Sequence, residues 1–495
     1  MPVKGWINDL FRVAWGFLYW NLRKSWYRWR GARGRCPCQN PSDSGAAHVT
    51  GCDAVNGWQS AARFRVVCPL LERSADGRWC CSVAAAQVRP FWGRAAGVAA
   101  LTVLSVYLAG ALTLFTGLRL RGYQIGFTRV FWLPTLRPEL ARARAALFLE
   151  KFRAAYGAGK VEEAMLDLAV AYQYQPDNYA VGMMLAQFRQ AADPISADQI
   201  YGRLRAGHAE RRTETSQVWF RSLLARGDFP AIIGLAKEEL AETGEPPWLH
   251  GLLFAVRQTG DAAPLEALLA APGKTPVDLR EVMGIEAAVL RGRLAGEALH
   301  TKLLAEPPTP AGEYARYYRI ERLVQGGWLP DALAAVNTAR AQLSTRSFAS
   351  LTLSILATAG DDATRVREIH ALLSNTSSPN AALTDMLCAH LIRYPLPEAM
   401  KELTAAWRRD PATPSTERLP QALALYCAAA VSKNDQDLHD LGDWIRLVAG
   451  GHLPDALEPL AGILRGNGQN PRIKLLLPAI PAMDMDVVYA LYSKR

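Results

Sequence analysis

Six of the eight cysteines fall in one short stretch: Cys36-Pro-Cys38, Cys52, Cys68 and the adjacent pair Cys80-Cys81. Thiolates held on a tight turn and on hairpin arms are suited to a tetrahedral structural zinc site. The spacing points to a quartet of Cys36, Cys38, Cys68 and Cys80, with Cys52 or Cys81 as substitutes and His48 as an outside candidate. Paired Cys-x-x-Cys knuckles are absent, and adjacent cysteines rarely both bind one metal. Two other chemistries therefore stay open: buried unliganded thiols, or disulfides and redox thiols, of which a disulfide framework needs an oxidising compartment.

Elsewhere the residue types do not assemble a reaction. The sequence has neither His-Glu-x-x-His nor Gly-x-Ser-x-Gly. Gly157-Ala-Gly159-Lys160 imitates a phosphate loop, but Val161 stands where the hydroxyl belongs and the upstream glycine is missing. Cys388 and His390 are two apart on a predicted helix and so point in different directions. The remaining histidines, His208, His250, His300, His370, His439 and His452, show no ligand spacing. Acidic pairs such as Glu238-Glu239 read as solvated helix faces. A thiol enzyme built on Cys80-Cys81 is the weakest alternative, and the expectation is a protein that is not an enzyme.

The elements that position the cysteines come next. Arg63 to Leu71 alternates, with Phe64, Val66, Cys68 and Leu70 on one face. Asp76-Gly77 is a hairpin turn, and Arg78 to Val83 returns as the second arm. A β-unit this small has little core and needs a staple. It forms part of a cysteine-rich head, residues 36–93, that lies before an apolar segment.

That segment, Ala95 to Leu118, carries no charge and is flanked by Arg94 and Arg119. About 20 apolar residues cross a bilayer as a helix, because all backbone polar groups are then bonded internally. The expectation is a single-pass membrane protein with its span at 94–119. Residues 1–35 combine Trp6, Trp15, Trp20, Trp26 and Trp29 with Arg23, Lys24, Arg28 and Arg30, the pattern of an interfacial helix on anionic lipid. No cleavage site follows them.

Charge follows the same division. Residues 1–93 hold thirteen Lys and Arg against five Asp and Glu, and Arg94, Arg119 and Arg121 bring the net to +11. The total is +10, so the remainder is near neutral and offers no polyanion-binding surface. The basic head and its thiols favour a cytoplasmic head and an extracytoplasmic body.

From Leu147 onward helical patterns alternate with turns. The markers Gly159, Asp193, Gly227, Gly260, Gly327, Gly360 and Tyr394 are separated by 34, 34, 33, 67, 33 and 34 residues, and the double gap leaves room for a weaker copy near Arg293. An interval near 34 is the period of a helix–turn–helix solenoid. The clearest copy runs Gly159-Lys-Val-Glu-Glu163-Ala164 and on to Leu168, Ala171 and Pro176. Ala332, Val336 and Ala339, and Ala399, Leu403, Ala406 and Pro411, keep the spacing. Gly326-Gly-Trp-Leu-Pro330-Asp-Ala-Leu333 is echoed at Gly450-Gly-His-Leu-Pro454-Asp-Ala-Leu457.

These residues resemble the tetratricopeptide-repeat family over roughly residues 144–465. The first helices depart from its pattern: Phe148 fits the large aromatic slot, but Phe152 stands where a small residue is usual. The resemblance implies a mainly α fold, an α-solenoid, whose concave surface holds a protein or peptide partner. Residues 120–143 then read as a linker and 466–495, with Pro471, Pro478 and Pro481, as an irregular cap. The functional expectation is a membrane-anchored scaffold for protein–protein interaction. The alternative is a transmembrane regulator whose basic, metal-binding head contacts nucleic acid or lipid while the solenoid senses a ligand.

Overall fold

The computed structural model describes residues 15, 71–73, 75, 77, 79–81, 91–271, 274–305, 312–374, 380–409, 415–466, 472–481 and 483–493. They are mainly helical, and the chain divides into two compact units, Met1–Lys151 and Phe152–Arg495.

In the first unit, strands Leu71–Arg73 and Trp79–Cys81 pair antiparallel with Glu72 opposite Cys80. Gly77, at φ +73°, lies in the connection, in the left-handed region that favours glycine. Of residues 1–70, which hold the interfacial helix and most of the proposed head, only Trp15 is among the described residues.

Helix Phe91–Leu120 follows, and its stretch Ala99–Leu120 is long and apolar enough to cross a membrane, with a mean hydropathy of 1.8. Leu101, Val103 and Val106 are 65%, 70% and 67% exposed, so most of this surface has no protein cover. One stripe is covered. Tyr107, Ala111, Phe115 and Leu118 follow helical spacing, and the short helix Phe127–Phe131 folds back along them. Phe115 meets Phe127 edge-on at 5.6 Å, and Tyr107 meets Phe131 at 5.3 Å. The Tyr107 hydroxyl donates to the Phe131 carbonyl oxygen. Leu118, Ile125, Val130 and Ala143 close a small core beneath. Residues 120–143 thus include the helix Phe127–Phe131 and the start of the helix Leu133–Gly157.

The second unit is a stack of helices, each packed against its neighbours in chain order. Tyr179–Ala192, Arg212–Ala225, Pro246–Thr259, Val277–Leu290, Glu313–Gln325, Thr345–Ala359, Ala381–Arg393 and Leu419–Val431 form one layer, each a step beyond the last. The helices between them form the other. The turns from the first layer to the second recur at Gly227, Gly260, Gly292, Gly327 and Gly360, with φ between +65° and +79°. Gly292 supplies the copy absent from the marker series. The turn after Ala381–Arg393 passes through Tyr394 at φ −129° instead, and Lys433, at φ +53°, makes the turn after Leu419–Val431 without glycine.

The small and large residues of the repeat pattern are core residues. Ala164, Leu168 and Ala171 are 1%, 0% and 0% exposed, and Ala399, Leu403 and Ala406 are equally hidden. Phe152 fits because aromatics receive it: Tyr156 stacks at 5.8 Å and Phe188 meets it at 5.9 Å. Gly251 permits close approach inside the first layer, since a Cβ there would stand 2.5 Å from the Phe220 ring. The Gly450 echo differs in place from its counterpart. Gly326–Gly327 leads into the second layer, whereas Gly450–Gly451 leads toward helix Leu457–Arg465, which packs on Leu419–Val431 of the first layer.

Candidate functional site

The segment after Arg465 contains helix Met485–Ser493, which lies against the first layer. Its sequence predisposes it to burial. Val487, Val488, Tyr489, Ala490 and Leu491 are consecutive and at most 7% exposed, as in a helix that is apolar all round. Asp484 and Asp486 set negative charge at its N-terminus, where the helix dipole favours it. The Asp486 N–H donates to Asp484 Oδ1 at 2.9 Å.

This one helix reaches four helices of the layer. It packs along Ala381–Arg393, and Asp486 pairs with Arg346 of Thr345–Ala359 at 2.6 Å. The Tyr489 ring lies 4.9 Å from His250 and 4.5 Å from Phe254 on Pro246–Thr259. Tyr492 meets Phe229 at 5.6 Å and donates its hydroxyl to the Ala225 carbonyl oxygen at 2.9 Å. From Arg212–Ala225 to Ala381–Arg393 is five steps, about 45 Å in a straight stack at usual interhelix distances. A nine-residue helix is only about 13 Å long. The layer therefore curls around it.

Beside this helix lie three polar side chains. His250, Tyr314 and Tyr317 each keep part of their surface accessible. Yet burial pushes the Tyr317 hydroxyl up to about 12, raises that of Tyr314 well above its ordinary value, and lowers the His250 imidazole. Tyr314 Oη is 3.4 Å from His250 Nδ1, and Tyr317 Oη is 3.4 Å from Ser350 Oγ. Glu321 and Arg393 act on the same groups.

At the N-terminal end of the docked helix, three carboxylates gather. Asp385, 7% exposed, has no partner for Oδ1. Burial first, then the charge of Asp484, pushes it up to about 7, and Arg346 only partly opposes this. Asp484 is raised for the same reasons, burial and then Asp486.

Buried ion pairs join neighbouring helices around Glu286 and Glu239. Glu286, fully buried, accepts two bonds from Arg257 at 3.0 Å, a further contact from Arg322 at 2.6 Å and the Tyr318 hydroxyl at 2.7 Å. Burial alone would raise its pKa, but Arg257 and Arg322 outweigh that and hold it at about 2. Glu239, 1% exposed, accepts from Arg205, Arg212 and Ser216 in the same manner. The expectation that Glu238-Glu239 forms a solvated face is corrected here. Glu238 is exposed, but Glu239 turns inward because two guanidinium groups await it.

Of the expected zinc ligands, Cys36, Cys38 and Cys68 lie outside the described residues, and Cys80 stands on the second hairpin strand. Among the described residues no group of His, Cys, Asp and Glu is arranged to hold a metal. Cys388 and Cys427 are free, buried core residues, and burial raises both thiols. Gly159 forms a turn between helices, with the Lys160 N–H bonded to the Ala155 carbonyl. The docked helix, the polar side chains beside it and the inward arginines carry no sequence motif. A period near 34 separates Glu239 from Arg205 and could have flagged that pair.

No protein-family model, curated protein or solved structure matches the chain.

Proposed function

We propose that this chain is a membrane-anchored scaffold whose tetratricopeptide-like repeats grip a helical segment of a partner protein. The observation that carries the reading is the way the first layer holds Met485–Ser493, by aromatic contacts to Tyr489 and Tyr492 and one ion pair to Asp486. A layer that clasps one apolar helix offers the chemistry to clasp another. The exposed apolar surface of Ala99–Leu120 supports insertion in lipid as the anchor. In this reading the head lies in the cytoplasm, the repeats lie outside it, and Cys36, Cys38, Cys68 and Cys80 hold a structural zinc ion. A photo-crosslinking residue in place of Phe254, in the full chain in its own membrane, tests the scaffold. A discrete intermolecular adduct with one protein is expected. Adducts confined to residues 485–493 of the same chain would defeat the reading.

A further inference from the structure

We propose that the cleft between helices Asp435–Val448 and Leu457–Arg465 binds a small zwitterion, a molecule with a free ammonium and a free carboxylate group such as an amino acid or a short peptide. Both helices pack on Leu419–Val431, and neither packs closely on the other. The space left between them measures about 360 Å³ and opens to solvent. That volume lies within the ~300–1,000 Å³ of small-molecule sites.

One face of each helix is given to this cleft. Asp435, Leu438, His439, Gly442 and Arg446 follow one another at steps of three and four and line one wall. Glu458, Ala461, Gly462 and Arg465 do the same on the other. The two glycines leave room. A Cβ at Gly462 would meet nothing within 4 Å, and one at Gly442 would come no nearer than 3.6 Å to the Tyr426 ring. Packing asks for glycine at neither position, although glycine inside a helix costs about 1 kcal/mol against alanine. Tyr426, 5% exposed, also lines the space, and its hydroxyl makes no hydrogen bond among the described residues.

Charge is distributed across both walls. Arg465 Nη2 donates to Asp435 Oδ1, which ties the end of one helix to the start of the other. Arg446 and Glu458 line the same cleft about 16 Å and about 10 Å from that tie along their own helices. No ion pair joins them. Arg446 Nη1 donates to Asp443 of its own helix at 2.6 Å, and Glu458 makes no ion pair among the described residues. Both nevertheless act on the Tyr426 hydroxyl, which burial and then Glu458 raise while Arg465 and Arg446 oppose, so the hydroxyl is a neutral donor. A cation and an anion that line one cleft without meeting suit a ligand that carries both charges. The Arg446 fork receives a carboxylate, with the Tyr426 hydroxyl free to donate to it, and Glu458 receives the ammonium. A simple anion would meet Glu458 as a like charge, and a simple cation would meet Arg446.

Calorimetric titration of the full chain in detergent with dialanine, at about pH 6.5 where both its termini are charged, tests this. Saturable binding is expected, weakened about tenfold or more when the amino group is acetylated or the carboxyl group amidated. Glu458→Gln should weaken dialanine to a similar degree and make acetylation inconsequential. Arg446→Gln should do the same for amidation. Gly462→Leu sets a side chain in the cleft and should abolish binding, while its melting temperature stays native or rises because leucine is the better helix former. If that variant does not fold by circular dichroism, the two variants at the exposed charges decide the matter. Alanine in place of dialanine tells an amino-acid source from a peptide one. Absence of saturable heat with both, or binding indifferent to the blocked termini and to the variants, overturns the proposal. The outcome is independent of the scaffold reading.

Discussion

The hydroxyl of Tyr492 donates to the carbonyl oxygen of Ala225, 2.9 Å away and 267 residues earlier in the chain. Ala225 ends a helix, so its carbonyl lacks an intrahelical partner, and Tyr492 satisfies it. Removal of the hydroxyl in Tyr492→Phe should cost about 1 kcal/mol, and Tyr492→Ala, which also deletes the contacts to Phe229 and Phe254, about 3–5 kcal/mol. Limited proteolysis reads this directly. Cleavage within residues 472–493 should accelerate before any in the repeats. Simultaneous cleavage throughout would mean that the helix is not a separable latch.

Asp385 gives the latch a pH dependence. Its folded pKa, about 7, lies above the unfolded value, so the folded state binds the proton more tightly. Its contribution to stability is complete below the unfolded value and is lost as pH rises through about 7. Each pH unit in that window costs at most about 1.4 kcal/mol. Asp385→Asn, which cannot ionise toward Asp484 and Asp486, should flatten this slope in urea melts between about pH 5 and pH 8. A wild-type slope that persists in the variant would assign it elsewhere.

Glu286 lies under two guanidinium groups. Glu286→Gln leaves Arg257 and Arg322 buried without a carboxylate, and loss of one partner of a buried pair costs about 3–5 kcal/mol. Chemical denaturation followed by circular dichroism measures it. A change under 1 kcal/mol (roughly the value of an exposed pair) would mean that water reaches the arginines.

The repeat stack was legible because its signals are local and recur. Turn markers, small residues such as Ala164 and Ala171, and large ones such as Leu168 repeat at a fixed interval, and each describes its own few turns of chain. The 67-residue gap even announced the turn that Gly292 makes. What the sequence could not supply depends on long-range closure. Nothing in Met485–Ser493 names Ala225 or Phe254 as its destination. Nothing in Glu239 distinguishes it from Glu238 until a neighbouring repeat brings Arg205 and Arg212 to one of them.

The zinc expectation is tested on the intact protein. One equivalent of zinc should copurify with the wild-type chain and be lost in Cys36→Ser/Cys38→Ser, whose repeats should keep their melting temperature. A well-folded protein free of zinc would leave the hairpin of Leu71–Arg73 and Trp79–Cys81 to be held by other means.

Anchorage makes the sharpest demand on a few side chains. Val103, Val106 and Leu112 are 70%, 67% and 56% exposed, away from the stripe that Phe127–Phe131 covers. If lipid receives them, an arginine near the middle of the segment costs about 2.5–3.5 kcal/mol on insertion scales, and two cost roughly twice that. Val106→Arg/Leu112→Arg should therefore shift the chain from the carbonate-resistant membrane fraction to the soluble or aggregated one. An arginine at Thr113 or Thr116 would confuse the test, because those hydroxyls bond the carbonyls of Ala109 and Leu112 within the helix. Alanine at Val106 and Leu112 is the control: it trims apolar area but adds no charge, so insertion should survive. If the arginine pair stays in the membrane fraction as firmly as the alanine pair, this face does not meet lipid, and the exposed apolar surface must be covered by protein instead.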